Sequence, residues 1–347
     1  MKIKNIPTVF STSALAMLAT INADFSYARG EVNIYSARKE ALIAPALEQY
    51  SKKYHVQVNL ITGDADTLLQ RLKQEGDASP ADLFITVDAG RLQRAKEAGV
   101  LRQFESDTLE EVVPAHLRDS DNYWVGLSQR SRVIFYNPSK VSPSELSTYE
   151  ELADPKWKGR ICVRSSTNIY NQSLVASMIA ADGEQATAEW VKGLVKNLAR
   201  PPFGGDTDLL RAVNVGVCDL TLANTYYFGR LGQSEQPSDQ EVFNGVALFW
   251  PNQSPEQRGA HVNVSGIGLT QSARNVRNAR RLMEFLVTEE SQNWYADVNN
   301  EYPVIEGADY PSSLVKFGEF KADELPLNLL GEYNRKATQI MDENGWK

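Results

Sequence analysis

Strand-like and helix-like hydrophobic periods alternate along this chain, and that alternation limits the fold more than any other feature. Residues 32–35 (VNIY) read as a short strand. Beyond them Leu42, Ile43, Ala46, Leu47 and Tyr50 recur at the spacing that lines one face of a helix. Residues 56–61 (VQVNLI) form the next strand, Leu68, Leu69 and Leu72 mark a helix, and residues 82–87 (DLFITV) form a third strand. Strands alternating with helices imply βαβ units and a mostly parallel sheet. The pattern returns later, with a strand over 161–163, helices over 172–181 and 186–196, and a strand over 220–223. Two α/β units are therefore predicted rather than one long sheet.

The alternation breaks twice, over residues 124–137 (WVGLSQRSRVIFYN) and 246–270, and both stretches are strand-rich. A chain that crosses twice makes each unit discontinuous. The expected architecture is α/β and two-lobed, with an interlobe cleft and two crossing hinge strands. At 347 residues the chain has room for roughly two domains. The expected division is 29–128 with 253–303 as the N-lobe, and 129–252 with 304–347 as the C-lobe. Ligands in such folds bind in the cleft, facing strand C-termini and helix N-termini. A final helix over 334–343 is expected to pack on the second lobe.

Asp and Glu number 44 against 36 Lys and Arg, for a net charge of −8. That balance argues against a nucleic-acid partner, which needs a basic surface, and against a polybasic membrane anchor. Lys2 and Lys4 precede the apolar run 14–21 (ALAMLATI), and Ser26-Tyr27-Ala28 has the small-x-small form of a cleavage site. These are the three parts of a secretory signal peptide, expected over 1–28, with a cut after Ala23 as the other candidate. The apolar run is too short to span a bilayer. An exported, periplasmic, soluble protein is expected.

In that oxidising compartment the two cysteines matter. Cys162 lies in the strand-like run 159–164 and Cys218 in the run 217–223, and each precedes a tyrosine by eight residues. Neighbouring parallel strands would hold both at similar depth. A structural disulfide fits this spacing, and so does a pair of small buried thiols. With two Cys and three His, ligands are too few for a Cys/His zinc site.

Tyrosines offer more. Tyr226-Tyr227 follow a strand at the entry to a helix, where Asn224 or Thr225 can cap. Tyr170 has the same setting after residues 161–163, and Tyr35 ends the first strand. A free phenol ionises near pH 10. A bound high-valent cation reverses that preference. Phenolate is a hard oxygen donor suited to Fe(III), and three phenolates cancel its charge. The remaining positions would go to water or a small anion held by an arginine fork. Arg38, just after the first strand, and Arg132, in the first crossing segment, are placed for that task.

Seven segments then resemble the periplasmic ferric-ion-binding proteins that feed iron ABC importers, including the cyanobacterial-type members. They are NIYSARKE (33–40), PADLFITVDAGRL (80–92), DPKWKGRICVRSS (154–166), YNQSLVASMI (170–179), DLTLANTYYFGRL (219–231), WPNQ (250–253) and HVNVSGIGL (261–269). The resemblance implies a two-lobed periplasmic binding protein fold of transferrin-like kind, with Fe(3+) in the cleft and an importer's membrane permease as partner. A monomer is expected. It implies tyrosine ligands at Tyr170, Tyr226 and Tyr227, and an anion such as carbonate on Arg38, with Arg132 as a second residue of that kind. Many members carry a His-Tyr pair after the first arginine, where this chain has Lys39-Glu40. The departure favours three tyrosines plus an exogenous anion. It leaves Tyr35 as a wall or core residue of the cleft, and Glu40 as either a substitute carboxylate or a first-turn helix residue.

Other candidates read more plainly. Asp64 and Asp66 precede a helix and suit capping. His55, His116 and His261 lack partners at metal-site spacing. Gly266-Ile267-Gly268 is a fragment of a nucleotide-binding pattern and reads as hinge or close packing. No nucleophilic set stands out, so an enzyme, such as an exported phosphate-ester hydrolase, is the weakest reading. The same fold binding a polyamine, thiamine or a phosphorylated sugar is the alternative.

Overall fold

The computed structural model describes residues 30–347, so the segment read as a signal peptide lies outside the described residues. The strands are β1 (Glu31–Ser36), β2 (Gln57–Thr62), β3 (Leu83–Val87), β4 (Trp124–Tyr136), β5 (Ile161–Cys162), β6 (Leu220–Asn224), β7 (Ala247–Phe249) and β8 (Val262–Leu269). Their order is β2-β1-β3-β8-β4-β6-β5, with β7 also on β4. β1 pairs in parallel with β2 and β3, and β5 in parallel with β6, whereas β8 runs antiparallel to both β3 and β4.

β4 explains how one sheet becomes two lobes. Its residues 124–131 pair with β8 in the first lobe, and its residues 132–136 pair with β6 and β7 in the second. The change of partner falls between Ser131 and Arg132, and a register shift at Gly126–Ser128 bends the strand before it. All of β8 is buried. Gly266 is required there, because a Cβ would come within 2.6 Å of both the Val125 carbonyl oxygen and Leu92.

Helices cover both faces, and their caps follow from sequence. Asp64 accepts from the Asp66 and Thr67 amides at 3.0 and 3.1 Å, starting helix Ala65–Glu75. Ala65, Leu68 and Leu72 form its buried face. Helix Asn334–Glu343 packs on helices Ile169–Asp182 and Glu184–Lys196 of the second lobe. Just before it, the short helix Asn328–Glu332 touches both helix Ala89–Glu97 of the first lobe and helix Ile169–Asp182 of the second. Among the described residues no helix is long and apolar enough to cross a membrane.

A disulfide joins Cys162 to Cys218, with Cα atoms 5.8 Å apart. The two lie side by side, as the similar depth expected for them requires, although Cys162 of β5 stands opposite Thr221 and Cys218 lies just before β6 rather than within it. The bond spans 56 positions of chain. Closing a loop of that size restrains the unfolded state by about 4 kcal/mol. A Cys162→Ala/Cys218→Ala double variant is therefore expected to unfold at a clearly lower urea concentration, read by circular dichroism. An unchanged midpoint would deny the bond a stabilising role.

Candidate metal centre

Two helix N-termini of the second lobe carry the tyrosines. Tyr170 sits in the first turn of helix Ile169–Asp182, where the Asn168 side chain accepts from its backbone N–H at 3.1 Å. Tyr226 and Tyr227 open helix Thr225–Gln233, directly after β6. Asn224 takes the N-cap position there without a side-chain capping bond, and Thr225 Oγ1 instead accepts from the Ser131 amide at 3.4 Å. The Tyr226 and Tyr227 rings lie 4.3 Å apart, tilted by 32°.

The three phenols share one electrostatic neighbourhood. Burial pushes the Tyr226 phenol well above its ordinary value, and neighbouring Tyr170 and Tyr227 push it further, while Arg130 pulls it down. Burial also raises Tyr227, again with Tyr170 contributing, against the pull of Arg164. Guanidinium groups surround the rings: Arg130 lies 5.6 Å and Arg164 5.7 Å from the Tyr170 ring centre, and Arg230 lies 4.8 Å from that of Tyr226. Positive charge of this kind favours phenolate once a metal has displaced the proton.

A buried carboxylate frames the tyrosines. Asp206 Oδ2 accepts from Arg132 Nη1 and from the Asn224 amide, both at 2.9 Å. Its Oδ1 accepts from Arg164 Nη1 at 3.2 Å. Arg132 Nη2 donates to Asn171 Oδ1 at 2.8 Å and to the Leu222 carbonyl at 3.0 Å. Asn171 in turn donates to the carbonyls of Arg164 and Ser165, both at 3.1 Å. This network ties the end of β6 to the start of the Tyr170 helix. Both Arg132 amino groups thus bond to the protein, while its buried Nε has no hydrogen-bond partner.

Arg38 is buried on the first-lobe side. It donates through Nη1 to Ser265 and Glu301, with Glu301 Oε2 at 3.2 Å, and through Nη2 to Asn299. Burial opposes its charge, but Glu301 outweighs that, and Tyr226 lies within its electrostatic reach. Burial would raise the Glu301 carboxyl, yet Arg38 and Arg130 hold it below the usual range. Arg130 was not singled out by sequence. Its Nη1 donates to Ser265 at 3.1 Å, while its buried Nη2 has no hydrogen-bond partner. The usable signal was Arg130-Ser131-Arg132 in the crossing segment. Deciding between the two arginines required Asp206, which lies 74 positions from Arg132.

Tyr35 and Glu40 are placed elsewhere. Tyr35 is buried under helix Ala65–Glu75, its hydroxyl donating to Glu75 at 2.9 Å and its ring 4.7 Å from the Arg71 guanidinium. Glu40 is exposed at the start of a short 3₁₀ turn, lining a groove with Leu47, Val58 and Leu60. Among the described residues, no three His, Cys, Asp or Glu side chains gather as a metal site. The concentrated donor set is phenolic oxygen, a hard ligand for a hard trivalent cation.

Residues 46–322 match the family described as bacterial extracellular solute-binding protein. Iron uptake protein A1 of Synechocystis is 50% identical over 325 residues, covering 94% of this chain and 90% of that protein. A Trichodesmium protein (IdiA, FutA) solved in complex with iron and citrate has a TM-score of 0.89 at 48% identity, over 92% of this chain and 100% of that one. Apo FutA2 from Synechocystis has a TM-score of 0.87 at 43% identity, over 91% of this chain and 99% of that one. The chain is a member of the bacterial extracellular solute-binding protein family, in the two-lobed α/β form shared by these iron-uptake relatives.

Proposed function

We propose that this protein binds ferric iron between its lobes through Tyr170, Tyr226 and Tyr227, completes the coordination with a small anion, and delivers the ion to the membrane permease of an ABC importer. It acts as a monomeric periplasmic carrier without catalytic activity, exported by the segment 1–28. The observation that carries this reading is the gathering of three phenols at two helix N-termini, with Tyr170 raising both Tyr226 and Tyr227. Three phenolates neutralise Fe(III), and the helix N-termini favour the negative charge this requires. Two close relatives are iron uptake proteins by name or are solved with iron.

The anion falls to Arg130, whose Nη2 makes no hydrogen bond within the protein and stands 4.0 Å from Asp88, so that a carbonate or a citrate carboxylate can bond it. Arg38, with Nη1 and Nη2 held by Ser265, Glu301 and Asn299, adds positive charge beside it. Arg132 serves instead to position Tyr170 and the end of β6. Lys39-Glu40 offer no phenol or imidazole, so the donor set comes from the second lobe.

Adding ferric citrate to the apo protein should give a visible phenolate-to-iron charge-transfer band. A colourless wild-type protein would end this reading. Arg130→Gln is expected to keep the band at saturating iron but to weaken loading by roughly 10- to 100-fold. Loading equal to wild type would remove Arg130 from the anion site.

A further inference from the structure

We propose that the Ser173 hydroxyl and the Asp88 carboxylate form the contact that holds the lobes closed over the tyrosines, and that this contact sets how fast the cargo leaves. The inference rests on the metal reading above for what the cargo is, but its geometry is independent of it. Ser173 follows Tyr170 by one helical turn, so both lie on one side of helix Ile169–Asp182. Its Oγ donates to Asp88 Oδ1 at 2.7 Å, and both residues are fully buried. Asp88 directly follows β3 and belongs to the first lobe. The bond therefore runs from the helix that carries Tyr170 across the cleft.

The rest of the Asp88 environment is built from the other side of that division. Oδ1 also accepts from the Gly90 amide at 2.9 Å, and Oδ2 accepts from Asn263 Nδ2 of β8 at 2.9 Å. The Asp88 amide donates to the Val264 carbonyl at 2.9 Å. Arg130 Nη2 stands 4.0 Å from Oδ2. Ser173 is the second-lobe donor in this set. Asp88 holds φ at +82°, in the left-handed region that an aspartate seldom adopts. Such a conformation persists where the surroundings over-determine it, as three fixed donors do here. The lobes are in van der Waals contact at this point: a Cβ on Gly90 would lie 3.6 Å from both Ser173 Oγ and the Leu330 carbonyl.

A hydrogen bond to a buried carboxylate is charge-assisted and short, and because it joins the two lobes, a hinge motion that separates helix Ile169–Asp182 from Asp88 would have to break it. Asp88 and Ser173 are positioning residues, since neither is among the phenol donors. Ser173→Ala deletes a single oxygen. It should keep the charge-transfer band at its wild-type wavelength and release iron to excess EDTA about tenfold faster or more. Asp88→Asn keeps the side-chain shape and tolerates the left-handed backbone, and should speed release in the same direction.

Release rates equal to wild type in both variants, with the colour intact, overturn the latch and leave the metal reading standing. A lowered melting midpoint with unchanged release overturns it too, since that is the mark of a purely structural bond. No colour in any protein overturns the metal reading instead. Small-angle scattering on the apo proteins then decides the latch: a larger radius of gyration for Ser173→Ala supports it, and equal radii overturn it.

Discussion

Tyr226→Phe is expected to weaken ferric binding by more than about 100-fold, beyond the loss usual for groups that only support a metal ligand. The substitution removes one oxygen and little else. The ring can still stack on Tyr227 and face Arg230, so the fold should survive, with a urea midpoint close to that of the wild type. What disappears is one of three negative charges set against a trivalent ion, in a pocket where buried arginines already supply positive charge. Tyr227→Phe should act in the same direction. Competition with citrate, followed by the visible band, measures both. A Tyr226→Phe protein that binds as tightly as its parent would take the phenol cluster out of the site.

Iron loading should also fall steeply with acid. Burial and the neighbouring phenols raise Tyr226 well above its ordinary value, and burial raises Tyr227. Both are therefore neutral in the empty protein at neutral pH, and the metal must displace a proton from each. Every unit of falling pH favours the protonated phenols tenfold per proton, so affinity should drop by about 100-fold per pH unit for these two groups. The sign is the same throughout: acid releases and alkali retains. Titration at pH 6, 7 and 8, with the released protons counted in a lightly buffered solution, tests this. A flat profile with no protons released would mean that the tyrosines do not ligate as phenolates.

Local periodicity carried most of the architecture. The first three strands, the long crossing strand β4, β8 and the last helix all lie close to their sequence-derived positions, because each is marked by a local run of apolar residues. The tyrosine settings were legible because a strand running into a helix is a local pattern. Long-range charge pairing was not legible. Arg132 looked like a free fork until Asp206 and Asn171 were brought to it by helices far away in sequence. Arg130, one alternate position earlier on the same strand, has a terminal Nη2 that makes no hydrogen bond, whereas on Arg132 the nitrogen without one is Nε. Tyr35, read as a wall or core residue, is core, and what spacing did not show is that Glu75, 40 positions on, takes its hydroxyl. Cys218 lies just ahead of β6 rather than within it, a detail of register that depends on pairing, which spacing alone does not encode.

All three phenols sit on one side of the hinge. If they hold the ion as proposed, a molecule that swings open would carry it away on that half with every aromatic oxygen still attached. Mechanical opening alone would then be insufficient for handover. Something would also have to compete chemically for the metal, whether a proton, an electron or a stronger chelator, and that second requirement would guard the ion against loss to random breathing.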